Sequence, residues 1–575
     1  MMDTVIDHLN EASIESGIGE SVLQAQGLNI WFAQESGESR HVVKDVSFDL
    51  RAGQCIAIVG ESGSGKSVTA RALVGLAGQG ATVAADRLAL EGETLLDRPE
   101  AWWGSVRGRK IGFILQDALV SLDPLRPVGK EIEEALWLHK WGTRKTRLQK
   151  VRQTLWDVGV PEPDLLVKQR PGELSGGLRQ RALIASAIAL HPDIVIADEP
   201  TTALDVTVQA QVLSVLKEML GRGTSVILIS HDLAVVSQLA DIILVMQGGA
   251  IVEAGPRGEV LGRPRHPYTQ QLIDAVPSEH TKGTRLSPHG GAVAQTLFRA
   301  ERADLADSPV PLLDARGIVK SFPGPGGLRR TVVKDVSFTL ARGETLGIVG
   351  ESGSGKSTLA RIALSLERPD SGEVRFLGRP WSSASIADQR AIRRRISVVY
   401  QDPLSSFDPR WRVSRILSDA ICLQEVMPRG QVEDRAVHLL EAVGLSAAHL
   451  EQWPLRMSGG QRQRVAIARA IATHPEVVVL DEAVSALDVS IQAQILDLLS
   501  DLQVQLQISY LFISHDLGVI HHMSDRVLVM QNGRAVEQGT ADDVFRNPQH
   551  AYTQQLLASL PRLEYANLRK AAAWS

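Results

Sequence analysis

The chain repeats itself, and the repeat fixes what it can become. Residues 42–67 read VVKDVSFDLRAGQCIAIVGESGSGKS and residues 332–357 read VVKDVSFTLARGETLGIVGESGSGKS, an offset of 290. Later landmarks keep nearly that spacing: SGG at 175 and 458, DE at 198 and 481, SHDL at 230 and 514, YTQQL at 268 and 552, offsets of 283 or 284. A solenoid unit runs only about 20–50 residues, so this is one whole domain present twice. The expected layout is a disordered tail over 1–20, a first domain over 21–280 and a linker over 281–310, then a second domain over 311–565. Each domain closes on a related tail segment, residues 263–277 and 547–561. The linker is rich in Gly, Ala, Ser and charge, with one helical turn expected over residues 295–307. As a flexible coil it spans about 30 Å, enough for the two copies to face one another.

Composition removes several classes. The 61 Lys and Arg against 66 Asp and Glu leave a net charge of −5, which disfavours a phosphate backbone as main partner, so no nucleic acid is expected. Only two cysteines occur, Cys55 and Cys422, far apart; this excludes a disulfide framework and any four-cysteine zinc or iron–sulfur centre. No apolar run reaches the length of a membrane span. The first 20 residues carry five acids and no Lys or Arg, so no secretory signal is expected and the chain should stay in the cytosol. Within each copy, runs such as CIAIVG, DIVIAD, SVILIS and DIILVM read as strands buried on both faces, hence a mostly parallel α/β core. Residues 125–190 read instead as a helical insert on that core.

The chemistry begins at G-x-x-x-x-G-K-S. Gly60, Ser62, Gly63, Ser64, Gly65, Lys66 and Ser67, with Val68 next, match it; so do Gly350, Ser352, Gly353, Ser354, Gly355, Lys356 and Ser357, with Thr358 next. Each copy follows a strand and precedes a helical pattern, the context the motif requires. Glycines let backbone N–H groups turn inward toward phosphates, and the helix N-terminus favours their charge. Lys66 and Lys356 are expected on the outer phosphates, Ser67 and Ser357 on Mg²⁺. Asp198 and Asp481 each end a buried strand, where an acid can hold the Mg²⁺ shell. The neighbouring Glu199 and Glu482 can orient the attacking water. His231 and His515, after the next strands, can hold water and γ-phosphate in line.

With these motifs the chain resembles the ATP-binding cassette (ABC) ATPases. LSGGLRQR at 174–181 and MSGGQRQR at 457–464 resemble that family's signature sequence. Gln116 and Gln401 resemble its Q-loop glutamine, ALD at 203–205 and 486–488 its D-loop, and His231 and His515 its switch histidine. The motifs occur in family order twice, over nearly the whole chain. The resemblance implies an α/β fold of two tandem P-loop ABC ATPase domains. Each would have a mostly parallel core sheet, an antiparallel β portion and a helical insert. It further implies ATP and Mg²⁺ as ligands, with Gln116 and Gln401 among the Mg²⁺ ligands. Two composite ATP sites would form head-to-tail between the halves. Lys66 and Asp198 would share one nucleotide with Ser458, Gly459 and Gly460; Lys356 and Asp481 would share the other with Ser175, Gly176 and Gly177. Phe32 and Phe322, each 14 residues before the VSF valine, fit the position of an adenine-stacking aromatic. Trp31 competes for that role in the first copy.

The tails carry a second resemblance. RHPYTQQL at 265–272 and QHAYTQQL at 549–556, with QDALVSLDP and QDPLSSFDP upstream, look like ATPases of oligopeptide, dipeptide and nickel importers. Some of those bind an iron–sulfur cluster through cysteines after the tail; none stands there here, so no cluster is expected. The implied function is the ATP-hydrolysing subunit of an importer for peptides or peptide-like solutes, peripheral on the cytoplasmic face of the inner membrane. Its partners would be two integral-membrane permeases, docked on the inserts 116–180 and 401–463, and an extracytoplasmic solute-binding protein. The competing reading is a soluble twin-cassette ATPase acting on the ribosome, a class that usually carries a long, charged linker and no such tail. A cassette of DNA repair would want zinc cysteines, and an exporter usually brings membrane helices. The sequence leaves the cargo open among peptides, glutathione, peptide-like antibiotics, opines, sugars and nickel. Two departures from the family pattern distinguish the halves. Leu178 stands where Gln is commoner, and Ala483-Val484 replaces the Pro200-Thr201 of the first copy.

Overall fold

The computed structural model describes residues 19–33, 38–116, 121–202, 204–277, 281–287, 310–323, 329–423 and 427–560. Most of the expected N-terminal tail, the helical turn at 295–307, Ala203 of the first D-loop and residues 117–120 lie outside the described residues.

Each copy builds two sheets. In the first, Cys55–Val59, Ser225–Ile229, Ile194–Asp198 and Ile111–Ile114 run parallel, because each is fed by a crossover through helices rather than by a hairpin. Ile242–Gln247 joins parallel on the other side of Cys55–Val59, and Ala250–Pro256 closes that edge antiparallel. The central strand CIAIV is buried at every position, as its unbroken apolar run requires. An antiparallel sheet of Ser39–Arg51, Ser21–Ala33, Arg87–Leu90 and Glu93–Thr94 lies beside it, with Ala81–Ala84 also paired to Ser21–Ala33. Leu23, Ile30, Val43, Leu50, Ile56, Ile58, Leu73 and Ile196 belong to one core that joins both sheets to the helix Lys66–Ala72.

The second copy repeats this order. Ile396–Val399, Val477–Asp481, Ser509–Ile513, Thr345–Val349 and Arg526–Gln531 are parallel, and Arg534–Thr540 is antiparallel at the edge. Arg329–Leu340, Leu313–Pro323, Ser371–Phe376 and Arg379–Pro380 form its antiparallel sheet. The inserts are helical: Val128–Leu138, Arg144–Asp157 and Gly176–Ile188 in one copy, Val413–Cys422, Arg429–Ala442 and Gly459–Ile471 in the other.

The chain divides into two compact units between Ile273 and Asp274, inside the tail segment rather than at residue 280. Residues 281–287, read from sequence as the start of a linker, belong to the second unit. There Leu286 and Ser287 are buried, and both donate backbone N–H groups to the Asp497 carboxylate at 3.0 and 2.9 Å. Ser287 Oγ donates to the same carboxylate at 2.6 Å, Lys282 Nζ donates to the Ser524 carbonyl, and Arg285 pairs with Asp501.

Candidate nucleotide site

The chain leaves each central strand into a loop shaped by glycine. Gly60, Gly63 and Gly65 all have positive φ (150°, 77° and 102°), as do Gly350, Gly353 and Gly355 (149°, 80° and 100°). Gly60 has a second reason: a Cβ there would lie 2.2 Å from the Met246 carbonyl oxygen, and one on Gly350 would lie 2.1 Å from that of Met530. Around Gly63 and Gly353 the space is open. Lys66 is buried and its Nζ donates to the carbonyls of Gly60 and Glu61, both at 2.7 Å; Lys356 does the same to Gly350 and Glu351 at 2.7 and 2.9 Å. The loop thus wraps its own ammonium. Ser62, Ser64, Ser352 and Ser354 complete the two loops; Val68 and Thr358 lie in the first turns of the helices they open.

The strand-end acids arrive from the neighbouring strand. Ser67 Oγ donates to Asp198 Oδ1 at 2.9 Å, and Ser357 Oγ to Asp481 Oδ1 at 3.1 Å. Asp198 is fully buried, and its Oδ2 has no hydrogen-bond partner among the described residues. Burial pushes both carboxyls above the usual carboxylate range, against the pull of the serine hydroxyls. A buried, unpaired carboxylate oxygen is costly unless something positive meets it.

Glu199 and Glu482 come next, each with a positive φ (50° and 52°) that is unusual for a non-glycine residue. Their N–H groups donate to the carbonyls of Ile229 and Ile513 at 2.9 Å, so the next strand imposes the turn. Strain of this kind, held by its surroundings, is typical of functional positions. Glu199 Oε2 receives Gln116 Nε2 at 2.8 Å and Thr202 Oγ1 at 3.0 Å, with His231 Nδ1 at 3.4 Å. Burial alone would raise the Glu199 carboxyl; the bond and charge of His231, with Thr202 and Lys66, hold it below its ordinary value. Glu482 is held down chiefly by His515, whose Nδ1 lies 3.5 Å away. Burial opposes the charge on His515, but its bond to Glu482 wins and lifts the imidazole above its usual value. The halves differ here: Gln401 Nε2 reaches Ser485 Oγ at 3.4 Å, not the carboxylate of Glu482, and Ser485 Oγ donates to the Glu482 carbonyl at 3.0 Å where Thr202 donates to the Glu199 carboxylate.

The signature residues form helix starts. Ser175 caps Gly176–Ile188 by accepting the Leu178 N–H, and Ser458 caps Gly459–Ile471 by accepting that of Gln461. In the second copy Gln461 also receives the Ser458 N–H at 3.0 Å; Leu178 has no group to do so, and the reciprocal cap is lost. Gly176 faces open space. A Cβ on Gly177 would strike Val208 at 2.8 Å, and one on Gly460 would strike Ile491 at 2.6 Å, whereas Gly459 has only Leu487 near. The structure therefore gathers Lys66, Ser67, Gln116, Asp198, Glu199 and His231 in one unit and their counterparts in the other. Among the described residues, no hydrogen bond joins Ser175, Gly176 or Gly177 to that cluster.

Phe32 and Phe322 are half-buried on the antiparallel sheets. Phe32 packs on the core, Lys320 Nζ lies 5.4 Å from the Phe322 ring centroid, and Trp31 is stacked on His41. Sequence reasoning passed over Tyr268 and Tyr552, whose hydroxyls each accept a backbone N–H of the phosphate loop, from Glu61 and Glu351, at 3.0 Å. Their recurrence in both tails was the available signal.

A glycine-shaped loop around a buried lysine, a strand-end acid on its serine and a glutamate–histidine pair are what a nucleotide-hydrolysing cassette needs, and they occur here twice. The chain belongs to the ABC transporter family, whose model matches residues 43–202 and 333–485. A second model, the oligopeptide/dipeptide transporter C-terminal region, matches residues 252–300 and 536–573. The chain is thus a twin-cassette ATP-binding protein of the oligopeptide/dipeptide transporter type, and an ATPase. It is 42% identical over 559 residues to the glutathione import ATP-binding protein GsiA of Salmonella paratyphi A, covering 94% of this chain and 89% of that one. It is 41% identical over 567 residues to GsiA of Escherichia coli K12, covering 96% and 91%. Among solved structures, the ATP-binding cassette MJ0796 bound to ADP and Pi is 27% identical, with a TM-score of 0.38 over 40% of this chain and 98% of that one.

Proposed function

We propose that this chain is the ATP-hydrolysing subunit that drives import of peptide-like small solutes through a pair of membrane permeases, on the cytoplasmic face of the inner membrane. The observation that carries it is the duplicated cluster of buried lysine, serine-bound aspartate and histidine-bound glutamate, followed each time by the importer-type tail. In this reading the glycine loops, Lys66 and Lys356 bind the phosphates of ATP. Glu199 and Glu482 orient the attacking water, and His231 and His515 hold the γ-phosphate in line. The donor set of Ser67, Asp198 and Gln116, with the unpaired Asp198 Oδ2, suits a hard divalent cation such as Mg²⁺; Ser357, Asp481 and Gln401 repeat it. Bound there, Mg²⁺ supplies charge neutralisation at the phosphates.

Docking to membrane partners fits the surface of the inserts. Leu125, Trp137, Leu138, Trp141, Leu148, Trp156 and Leu165 are exposed on the first, but of the large apolar residues only Leu423 and Leu455 among the described residues of the second. That difference suits two different permeases. Among the described residues no helix is long and apolar enough to cross a membrane, so attachment rests on such partners. The relatives named for glutathione import make that tripeptide the first cargo to test. The experiment reconstitutes the chain with candidate permeases and a candidate solute-binding protein from its own genome and measures ATP-dependent uptake of labelled glutathione and dipeptides. ATP hydrolysis that no peptide-like solute stimulates, or a chain that never co-purifies with the permeases, refutes the proposal.

A further inference from the structure

We infer that Tyr268 and Tyr552 are positioning residues of the two ATP sites, through which each C-terminal tail holds its own phosphate loop in shape. This rests on the ATPase reading of the site. Each tail is clasped to the edge strand of its sheet. The Glu253 carboxylate accepts the N–H groups of Arg265 and His266 at 2.8 and 3.1 Å, and Glu537 accepts those of Gln549 and His550 at the same two distances. His266 Nδ1 then accepts the Tyr268 N–H at 3.2 Å, and His550 Nδ1 that of Tyr552 at 3.1 Å, so the tyrosines start their helices in fixed poses. Both rings are nine-tenths or more buried. Their hydroxyls accept the N–H of Glu61 and Glu351, and the carbonyls of those same two residues accept Lys66 Nζ and Lys356 Nζ. The tail thus grips one end of a residue whose other end holds the phosphate-binding lysine.

Comparison of the two copies says which groups matter. Arg265 and Pro267 become Gln549 and Ala551, and at positions 265 and 549 the clasp uses only the backbone N–H. The glutamate, histidine and tyrosine, whose side chains make the bonds, are the same in both. The clasp thus survives exchange of the two residues whose side chains it does not use, while the Thr-Gln-Gln-Leu that follows is unchanged as well.

The consequence is kinetic. With the hydroxyl gone, the Glu61 N–H loses its partner and the loop samples more conformations before phosphates order it. A net hydrogen bond of ordinary strength predicts a rise in the KM for ATP of about 3- to 10-fold per site, with kcat changed by less than twofold. The test compares the full chain with Tyr268→Phe/Tyr552→Phe, which keeps ring packing, and with Glu253→Gln/Glu537→Gln, which weakens the clasp. Hydrolysis and melting temperature are measured for each. Both variants should raise KM, and combining them should add little, because they act through one chain of contacts. An unaltered KM in a folded Phe variant, a loss confined to kcat, or fully additive effects overturns the inference. Failure of the unmodified chain to hydrolyse ATP, or hydrolysis unaffected by Lys66→Ala/Lys356→Ala, overturns instead the reading of the site on which it rests.

Discussion

Replacing Asp497 by alanine should release residues 281–287 from the second unit. Asp497 is only 5% exposed, and its carboxylate accepts three hydrogen bonds from Leu286 and Ser287. Hydrogen bonds to a charged acceptor contribute about 1.5–3 kcal/mol each. Burying the carboxylate offsets much of that, so about 1 kcal/mol per bond, or ~3 kcal/mol in all, is a fair net. The exposed Arg285–Asp501 pair adds little, well under ~1 kcal/mol. Since ~1.4 kcal/mol is a factor of ten, the detached population should grow about 100-fold. Trypsin reads that population directly, because Lys282 and Arg285 both lie in the segment, and cleavage follows the open fraction when reclosing outruns it. Digestion of the native chain, resolved by mass spectrometry, should show cuts after Lys282 and Arg285 faster by about two powers of ten in the variant. Asp497→Asn, which keeps an acceptor oxygen but no charge, should fall between. Equal cutting rates in the variant and the parent protein would refute the reasoning.

Three further outcomes are expected. Glu199→Gln with Glu482→Gln should leave ATP binding intact and slow hydrolysis by about 10²–10⁴-fold, the usual worth of a positioned acid–base group; undiminished turnover excludes those carboxylates. Gly60→Ala, which sets a Cβ 2.2 Å from the Met246 carbonyl at a φ of 150°, should cost several kcal/mol (about 2–4) and abolish nucleotide binding at the first loop; a variant that melts and binds like the parent contradicts the close approach. Burial, and secondarily the charge of Asp241, push the Cys55 thiol far up, whereas Cys422 is exposed. Native protein should therefore take up one equivalent of iodoacetamide at Cys422, with Cys55 reacting only on unfolding; native labelling of Cys55 counts against the burial.

Much of the site could be read from the sequence because its parts are local. Residues 60–67 carry their geometry in glycine, and Asp198 and Glu199 sit where a buried strand must end. What escaped reading depends on partners far along the chain. Nothing in YTQQL says that its hydroxyl meets a backbone group some 200 positions upstream. The residues around 281 are polar and Gly-containing, which reads as linker; only Asp497, met in the fold, makes them part of a domain. The split behaviour of Gln116 and Gln401 follows from which hydroxyl or carboxylate each amide meets, and both sequences carry the same glutamine and glutamate.

The place of each phosphate loop in its sheet governs when it can exist. Cys55–Val59 pairs with Ser225–Ile229 on one side and Ile242–Gln247 on the other. At about 5–20 residues per second, roughly 10–30 s of synthesis separate the strand from its first neighbour. Until then an apolar strand waits with both edges open, and such non-local pairing is slow even in the complete chain. The second copy offers strands of the same apolar character as wrong partners, Thr345–Val349 among them. Vectorial synthesis keeps them apart, because residue 247 is made some 5–20 s before residue 345. Refolding from denaturant removes that order and presents both sets of strands at once. Recovery of ATPase activity from the unfolded chain should accordingly fall below that of the first unit refolded with the second still folded beside it, and the deficit should be insensitive to dilution, since the competing strands belong to one molecule.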